Sequence, residues 1–382
     1  MFHTFIQDNR IDNIKSEAMK TIGKMALTVA VLLSTAAFNR ADACTGITLV
    51  SKDTSHVLAR TCEWGGSFLQ SRYVVVPRGY TQTALTPSGA DGLEFTARYG
   101  YVGIAVMQDQ FVTEGLNEAG LSAGLFFFPG YGRYESYDST LNASTLTDMQ
   151  LAAWMLGNFS TVDEVIDAIS QVHVVALSPQ MQTVHWRIAD ATGRQVVLEI
   201  VGGRPGFHEN RLGVLTNSPG FEWQMTNLNN YVNLYPGNAQ PLELAEGVTL
   251  SSFGAGTGFR GIPGDVTPPS RFVRAAFYQT TAPQYATGFE TVKETFQILN
   301  NFDIPVGIEH APSSGPLPEN VPSATQWTTS SDLKALRFYY RTAWNSTIRC
   351  IDLKSINFDK VRFTAAPLDK VQEQPVEFIR IR

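Results

Sequence analysis

Residues 41–50 read ADACTGITLV, and this stretch decides how the rest of the chain is interpreted. Residues 41–43 form a small-x-small triplet of the kind behind which signal peptidase cuts, and Cys44 follows it directly. The apolar-rich run that comes next, residues 45–51, is typical of a β-strand. Cleavage after residue 43 would therefore leave a chain whose first residue is a cysteine and whose first element is a strand.

The N-terminal residues have the layout of an export signal. Two lysines precede an apolar run at residues 25–38, which is shorter than the ~20 residues needed to span a bilayer. We therefore expect residues 1–43 to be an N-terminal extension and signal peptide that is removed. The mature domain, residues 44–382, is then exported to the periplasm of a Gram-negative bacterium or secreted, without stable membrane insertion. The polar first segment leaves open whether synthesis begins at Met1 or Met19.

The composition narrows the class of protein. The chain has 382 residues, 43% of them hydrophobic, so it can bury a large core. Its net charge of −6 is well mixed along the sequence and favours neither nucleic acid nor an anionic membrane as partner. No Cys-x-x-Cys or His-x-x-x-His spacing occurs, so we expect no metal site and no cofactor. Three cysteines leave a Cys62–Cys350 disulfide open, although a core of this size does not need one.

Strand-like and helix-like segments come in blocks. Extended patterns fill residues 45–131, return at 182–201 and recur from 325 to the end, including 375–382. Apolar residues at helical spacing occur at residues 145–159, 160–172, 222–235, 270–281 and 289–302. Such blocks favour an α+β fold, with stacked antiparallel sheets flanked by helices, over a doubly wound parallel sheet.

Two glycine-rich stretches resemble catalytic or binding motifs. Residues 120–124 match G-x-S-x-G, but the extended residues that follow do not open the helix that a nucleophile elbow requires. Residues 252–265 carry several glycines, but no Lys-Ser/Thr pair and no β-α-β setting accompany them. We predict a strand or turn for the first stretch and a tight loop for the second.

Cys44 offers a different chemistry. A chain cut before it carries a thiol and a free α-amine on one residue, and an α-amine of pKa ~7.7–8.0 can act as a base near neutral pH. Acyl transfer also needs donors for the oxyanion, and Asn217, at the end of a short strand, supplies a side-chain amide. A hairpin turn at residues 52–54 would return Arg60 and Glu63 to the neighbourhood of Cys44.

These residues together resemble the choloylglycine hydrolase family, which contains conjugated bile salt hydrolases and penicillin V acylases and belongs to the N-terminal nucleophile hydrolases. The similar segments, in chain order, are residues 44–45, Arg60 in ARTCEW, residues 113–131, 215–219 and 260–275. The resemblance implies a four-layer αββα sandwich that hydrolyses a linear C–N amide bond of a small N-acyl substrate through a thioester. It also implies a possible homotetramer.

The resemblance assigns roles to four residues. Cys44 would be the nucleophile and, through its α-amine, the base. Arg60 and Arg271 would line the pocket of the thiol, and Asn217 would donate its side-chain amide to the oxyanion.

Two positions depart from the family pattern. Glu63 stands where the family usually has an aspartate that binds the α-amine, so its carboxylate lies one methylene further out. The second oxyanion donor would be the backbone N–H of Phe126 or Phe127, in a segment that is one residue longer than usual and lacks the usual asparagine.

The substrate is the least determined feature of the sequence. Candidate walls for an apolar acyl cleft are Trp64, Phe68, Phe126, Phe127 and Phe128. On the same fold, an N-acyl homoserine lactone acylase or a relative of the N-acylethanolamine amidases stays open. So do an exported binding protein without catalysis and a lipoprotein lipidated at Cys44, although the residues before this cysteine fit the lipidation motif poorly.

Overall fold

A computed structural model describes residues 43–65, 69–178, 181–308 and 325–381. The predicted signal peptide lies outside the described residues apart from Ala43, so its removal stays a prediction. Phe68 lies outside them as well.

The strands and helices are as follows. In chain order the strands are β1 Cys44–Val50, β2 His56–Glu63, β3 Ser71–Val76, β4 Thr81–Leu85, β5 Asp91–Thr96, β6 Tyr101–Val106, β7 Val112–Asn117, β8 Ser122–Phe127, β9 Thr145–Thr147, β10 His173–Val175, β11 Val184–Ala189, β12 Gln195–Val201, β13 Arg204–Glu209, β14 Leu242–Ala245, β15 Val248–Leu250, β16 Thr325–Asp332, β17 Arg337–Thr342, β18 Arg349–Asp352 and β19 Thr364–Pro367. The α-helices are α1 Leu151–Asn158, α2 Val162–Ala168, α3 Phe221–Asn227, α4 Pro268–Thr281 and α5 Gly288–Leu299.

Two antiparallel sheets form the centre of the fold. The smaller sheet has the order β1-β2-β16-β17-β18, and the larger has the order β13-β12-β11-β8-β7-β6-β3-β19. Every strand pair within these two sheets is antiparallel. The first strand therefore lies at an edge of the smaller sheet, with its N-terminal residue at the strand end.

The sheets stack face to face and helices cover their outer faces. The Arg187 guanidinium of β11 donates to the carbonyls of Ile47 in β1 and Ala59 in β2, which joins the larger sheet to the smaller one. Helices α4 and α5 pack on the smaller sheet, and α1 packs on β7 and β8 of the larger sheet. The predicted four-layer αββα architecture is confirmed.

Local sequence patterns predicted the bounds of some elements correctly and those of others incorrectly. Helix α2 lies within the predicted residues 160–172 and begins at a capping box in which Thr161 and Glu164 each accept the other's backbone N–H. The helix predicted for 222–235 ends early, because an asparagine-rich stretch with low helix propensity continues it only as a 3₁₀ turn, Leu228–Tyr231. The strand predicted for 375–382 is wrong, since residues 375–381 pair with no strand of the described chain.

Both glycine-rich stretches have the structure expected of them. Gly120 occupies the β7–β8 turn with φ of 90°, and residues 122–124 continue into β8. Residues 252–265 form a loop with one 3₁₀ turn, Thr257–Phe259. In the described ranges, no helix combines the length and the apolar character that crossing a bilayer requires.

A buried carboxyl group makes the stability of the fold depend on pH. Asp148, just before α1, accepts the backbone N–H groups of Met149 and Leu177 at 2.9 and 3.2 Å. Burial raises its pKa to about 7 in spite of these hydrogen bonds. The native state therefore keeps a proton that the unfolded state loses between about pH 4 and 7, so stability falls as pH rises through this window.

We expect Asp148→Asn to keep the accepting oxygen and remove the buried charge. The variant should exceed the wild type in unfolding free energy by roughly 4 kcal/mol at pH 8 and come close to it near pH 4. Urea unfolding at both pH values measures the difference. Asp167→Asn, on the exposed face of α2, is the matched control. An Asp148→Asn effect that is equal at both pH values would contradict the assignment.

Candidate active site

The β1–β2 hairpin places Cys44 opposite a second cysteine. Thr54 adopts φ of 68° in the turn, and the register pairs Cys44 with Cys62 and Gly46 with Arg60. Side chains two residues apart on a strand share a face, so Cys44, Cys62 and Arg60 all lie on one side of the hairpin. All three side chains are buried.

Arg60 holds the sulfur of Cys44. Its Nη2 lies 2.6 Å from Cys44 Sγ, and its guanidinium stacks 4.0 Å from the ring centre of Phe126. Nη1 donates to the carbonyl of Leu125 and lies 3.7 Å from Glu114 Oε2. These contacts with the opposite sheet keep the buried cation aimed at the thiol.

Asn217 and Arg271 hold the backbone of Cys44 from the other side. The backbone N–H of Cys44 donates to Asn217 Oδ1 at 2.8 Å, and Arg271 Nη2 donates to the same oxygen at 2.8 Å. Arg271 Nη1 also donates to the Cys44 carbonyl and to Thr45 Oγ1. Because arginine only donates, Oδ1 must face it, and the Nδ2 of Asn217 then donates to the Phe127 carbonyl at 2.8 Å.

The environment favours the thiolate of Cys44. Burial by itself would raise the pKa of Cys44. The S–H of Cys62, the charges of Arg60 and Arg271 and the backbone N–H of Phe127 outweigh burial and lower this pKa to about 5. Of the two candidate backbone donors, it is therefore Phe127 whose N–H faces the sulfur.

Glu63 lies beside the bond that precedes Cys44. Its backbone N–H donates to the Ala43 carbonyl at 2.9 Å, and its Oε1 accepts from Thr325 Oγ1 at 3.1 Å. Its Oε2 is buried and has no hydrogen-bond partner in the described part of the chain. Burial and the negative charge of Cys44 raise the pKa of Glu63 well above its ordinary value.

A narrow apolar cavity of about 90 Å³ opens beside the thiol. Trp64 and Phe127 line it together with Leu69, Val106, Met107, Leu125, Met149, Met181 and Val184. The side chains of Phe126 and Phe128 do not line it, because alternate residues of an extended segment point to opposite faces. Phe126 lies between the sheets over Arg60, and Phe128 stacks on His185 with ring centres 4.3 Å apart.

Several residues that shape this site carry no signal in the sequence. Met149 lies in a 3₁₀ turn before α1 and Met181 in a loop, and their apolar character alone is indistinguishable from ordinary core packing. His185 lies 3.1 Å from Glu199 and 3.1 Å from the carbonyl of Thr216, the residue before Asn217. Within the described residues, no three His, Cys, Asp or Glu side chains converge to hold a metal ion.

Comparison with known proteins identifies the family and the fold. The family described as linear amide C–N hydrolases, choloylglycine hydrolase family, matches residues 44–365, and the match begins at Cys44. The chain belongs to this family. It hydrolyses linear C–N amide bonds, and an N-terminal cysteine nucleophile is typical of the family.

Two curated relatives match most of the length of this chain. A bile salt hydrolase/transferase of Clostridium perfringens is 33% identical over 83% of this chain and 94% of the relative. A penicillin V acylase of Pectobacterium atrosepticum is 27% identical over 82% of this chain and 81% of the relative.

Solved structures agree with this assignment. A mutant of the conjugated bile acid hydrolase from Clostridium perfringens superposes with a TM-score of 0.74, with 28% identity over 88% of this chain and 100% of that one. The penicillin V acylase from Agrobacterium tumefaciens has a TM-score of 0.65 at 25% identity, over 83% of this chain and 88% of that one.

Proposed function

We propose that this linear amide hydrolase is activated by removal of residues 1–43 and uses Cys44 as nucleophile and base. The observation that carries the proposal is that hydrogen bonds hold both the sulfur and the backbone nitrogen of Cys44. Arg60 holds its sulfur at 2.6 Å, and Asn217 holds its nitrogen at 2.8 Å. A residue fixed at both functional groups is oriented for a reaction that uses both.

The first half of the reaction acylates the sulfur. The thiolate of Cys44 attacks the amide carbonyl carbon, the C–S bond forms, and the carbonyl π electrons move to oxygen. That oxyanion is stabilised by the backbone N–H of Phe127 and by the second N–H of the Asn217 amide, whose first N–H is already donated to a carbonyl. The C–N bond then breaks as the α-ammonium of Cys44 protonates the leaving amine.

The second half regenerates the enzyme. The α-amine, now neutral, accepts a proton from water while the water oxygen adds to the thioester carbon. The tetrahedral intermediate expels the thiolate, which again accepts the hydrogen bond from Arg60. The carboxylic acid product then leaves.

Glu63 provides the counter-charge for the amine in this proposal. A buried carboxyl group with an unpartnered oxygen is unfavourable unless a cation or donor reaches it. Cleavage at Ala43 creates a cation at the adjacent nitrogen and removes the carbonyl that accepts the Glu63 N–H. The longer side chain thus substitutes for the aspartate that the family resemblance leads one to expect.

Arg60→Met is expected to impair catalysis most strongly at acidic pH. Loss of the guanidinium raises the pKa of Cys44 from about 5 toward that of an ordinary thiol, so less thiolate is present at low pH. The acid limb of the kcat/KM profile should move to higher pH, with a loss of roughly 100-fold at pH 5 and less at pH 8. Arg98→Met, at an exposed arginine, is the control. An unshifted acid limb would contradict the role of Arg60.

We propose substrates with a slim apolar acyl group, of the penicillin V type, ahead of bile salts. The lining of the cavity is mostly apolar, and its ~90 Å³ is small beside the roughly 300 Å³ or more of a typical small-molecule pocket. A flat aromatic or unbranched acyl chain enters such a cavity with less rearrangement than a steroid nucleus.

Rates on penicillin V, glycine- and taurine-conjugated bile salts and N-acyl homoserine lactones test the order. Faster hydrolysis of the bile salts than of penicillin V would contradict the proposed substrate preference. Preference for the lactones would favour the acyl homoserine lactone acylase alternative.

We propose that the protein is exported and cut before Cys44, without lipid. The apolar segment and the small-x-small triplet support export, and the proposed mechanism needs the free amine. Mass spectrometry of the protein from fractionated cells should find a periplasmic or secreted chain that begins with an unmodified Cys44. A diacylglycerol adduct would instead identify a lipoprotein, and a different first residue would overturn the mechanism.

We propose that a second copy of the chain covers the β14–β15 hairpin, as in a homotetramer. All residues of these two strands are exposed, including Leu242, Leu244 and Leu250. An isolated two-stranded hairpin is marginally stable in water, so it needs a surface to pack on.

We expect Leu242→Ser with Leu250→Ser to shift the mass measured by light scattering toward the monomer at micromolar concentration. The substitutions remove apolar area that would be buried between copies. Leu141→Ser, at an exposed leucine elsewhere, should leave the mass unchanged. A wild-type chain that is already monomeric would refute the proposal.

A further inference from the structure

Cys62 lies directly opposite the nucleophile in the antiparallel ladder, at a kind of position that a disulfide can span. The N–H of Glu63 donates to the Ala43 carbonyl, which makes residues 43 and 63 a hydrogen-bonded pair of the antiparallel ladder. The next pair, Cys44 and Cys62, is therefore of the non-hydrogen-bonded kind, whose Cα atoms lie about 4.5 Å apart. This separation falls within the range of about 4.4–6.8 Å that disulfides span.

The two thiols also share one environment. Both are buried, both line the apolar cavity, and the S–H of Cys62 donates to the sulfur of Cys44. Both are free thiols in this structure, as is Cys350, which lies exposed on β18. The amide hydrolysis derived above uses Cys44 and leaves Cys62 without a chemical step.

We propose that Cys62 is a resolving thiol that forms a reversible disulfide with Cys44 when a hydroperoxide oxidises the nucleophile. The proposal rests on the proposed function in one respect, namely that Cys44 is the reactive thiolate. It adds a site of covalent modification to the enzyme.

The reaction balances in two steps. The Cys44 thiolate attacks the hydroxyl oxygen of the hydroperoxide and the O–O bond breaks, which gives Cys44 sulfenic acid and an alkoxide or hydroxide. This leaving anion takes a proton from solvent and departs as the alcohol or water. Cys62 sulfur then attacks the sulfenic sulfur, the S–S bond forms, and the hydroxyl group leaves as water with the proton of Cys62. A dithiol reductant later supplies the electron pair that restores both thiols.

The charges around Cys44 and Cys62 favour oxidation of Cys44 first and attack by Cys62 second. The hydrogen bond to Cys44, burial and the negative charge of Cys44 raise the pKa of Cys62 well above its ordinary value, so Cys62 is protonated while its partner is a thiolate. Peroxide therefore meets Cys44 first. Oxidation to the neutral sulfenic acid removes the opposing charge, while Arg60 stays in place to favour the Cys62 thiolate.

The consequence is protection of the nucleophile. A sulfenic acid that meets no thiol is open to further oxidation to sulfinic acid, which is irreversible in most proteins. A resolving thiol in the opposite position of the same hairpin intercepts it.

The test treats the mature protein with a small excess of hydrogen peroxide, alkylates the remaining thiols and maps the peptides without reductant. We expect a joined peptide containing Cys44 and Cys62, a loss of amidase activity of at least about tenfold, and recovery with dithiothreitol. In Cys62→Ser we expect loss without recovery and a Cys44 peptide that has gained two or three oxygens. Cys350→Ser should behave as the wild type.

The proposal fails if wild type and Cys62→Ser lose activity equally and irreversibly, with no joined peptide in the wild type. The wild-type map and its reversibility decide the question even if Cys62→Ser folds poorly. Because the joined peptide is read by mass, its absence is distinguishable from a failure of Cys44 as nucleophile, which would show instead as amidase activity in Cys44→Ala.

Discussion

Cys44→Ala is expected to lower kcat/KM on a linear amide by at least about 10⁴-fold. The sulfur is the group that forms the covalent bond to the acyl carbon, and no neighbouring side chain can replace it. Cys62 shares the cavity, but its pKa is raised while that of Cys44 is lowered to about 5, so its thiolate is scarce at neutral pH. Steady-state hydrolysis of penicillin V or another panel substrate measures the loss.

A control variant and a stability measurement show whether the loss of activity is specific to the Cys44 sulfur. Cys350→Ala removes the exposed thiol on β18 and should leave kcat/KM unchanged within about twofold. Cys44→Ala should keep its unfolding midpoint near that of the wild type, because Arg60 retains its contacts with the Leu125 carbonyl and Glu114. Substantial hydrolysis by a folded Cys44→Ala protein would refute the proposed nucleophile.

A chain that keeps Ala43 in front of Cys44 is expected to lose roughly 10²- to 10⁴-fold in kcat. Its nitrogen at Cys44 is then a peptide N–H, which neither protonates the leaving amine nor accepts a proton from water. The thiolate itself should persist, since the lowered pKa of Cys44 comes from Cys62, Arg60, Arg271 and the Phe127 N–H rather than from the amine.

The matched pair consists of chains that differ by this one residue, with each first residue verified by mass spectrometry. Ala43 is buried and packs against Ile304, so its retention is compatible with the fold. Both chains should react with iodoacetamide at Cys44 at similar rates, while only the chain beginning at Cys44 turns over amides efficiently. Equal turnover by both would show that the base is a group other than the α-amine.

The parts of the site that neighbour one another in sequence could be predicted. A turn at residues 52–54 followed by a second strand places Arg60 and Glu63 beside Cys44 by the ordinary antiparallel register. Asn217 was identified as a polar side chain at the end of a predicted strand, although the segment forms an isolated bridge and not a strand. In the structure, Gly46 and Leu215 form the bridge that brings it to Cys44.

Other parts depend on contacts between distant segments. Whether Phe126 or Phe127 points its N–H at the sulfur depends on the register between β8 and β11, which pairs Phe126 with His185. Because side chains alternate between the two faces of this segment, Leu125 and Phe127 line the cavity and Phe128 does not. Glu114 and Arg187 lie on β7 and β11 and touch only when the larger sheet is assembled.

Local patterns and a linear cleavage motif were enough to predict the family, most of the elements in their order and the cysteine that begins the first strand. Only the tertiary structure decided which donor faces the thiolate, which aromatics wall the cavity and that Cys62 opposes Cys44. The reason is physical: hydrogen bonds and charges act over a few ångströms, and the residues that exert them here come from positions up to 262 residues apart in the chain. A small-x-small triplet shows where a free amine can arise, but folding alone determines that a guanidinium, an amide and a second thiol meet it.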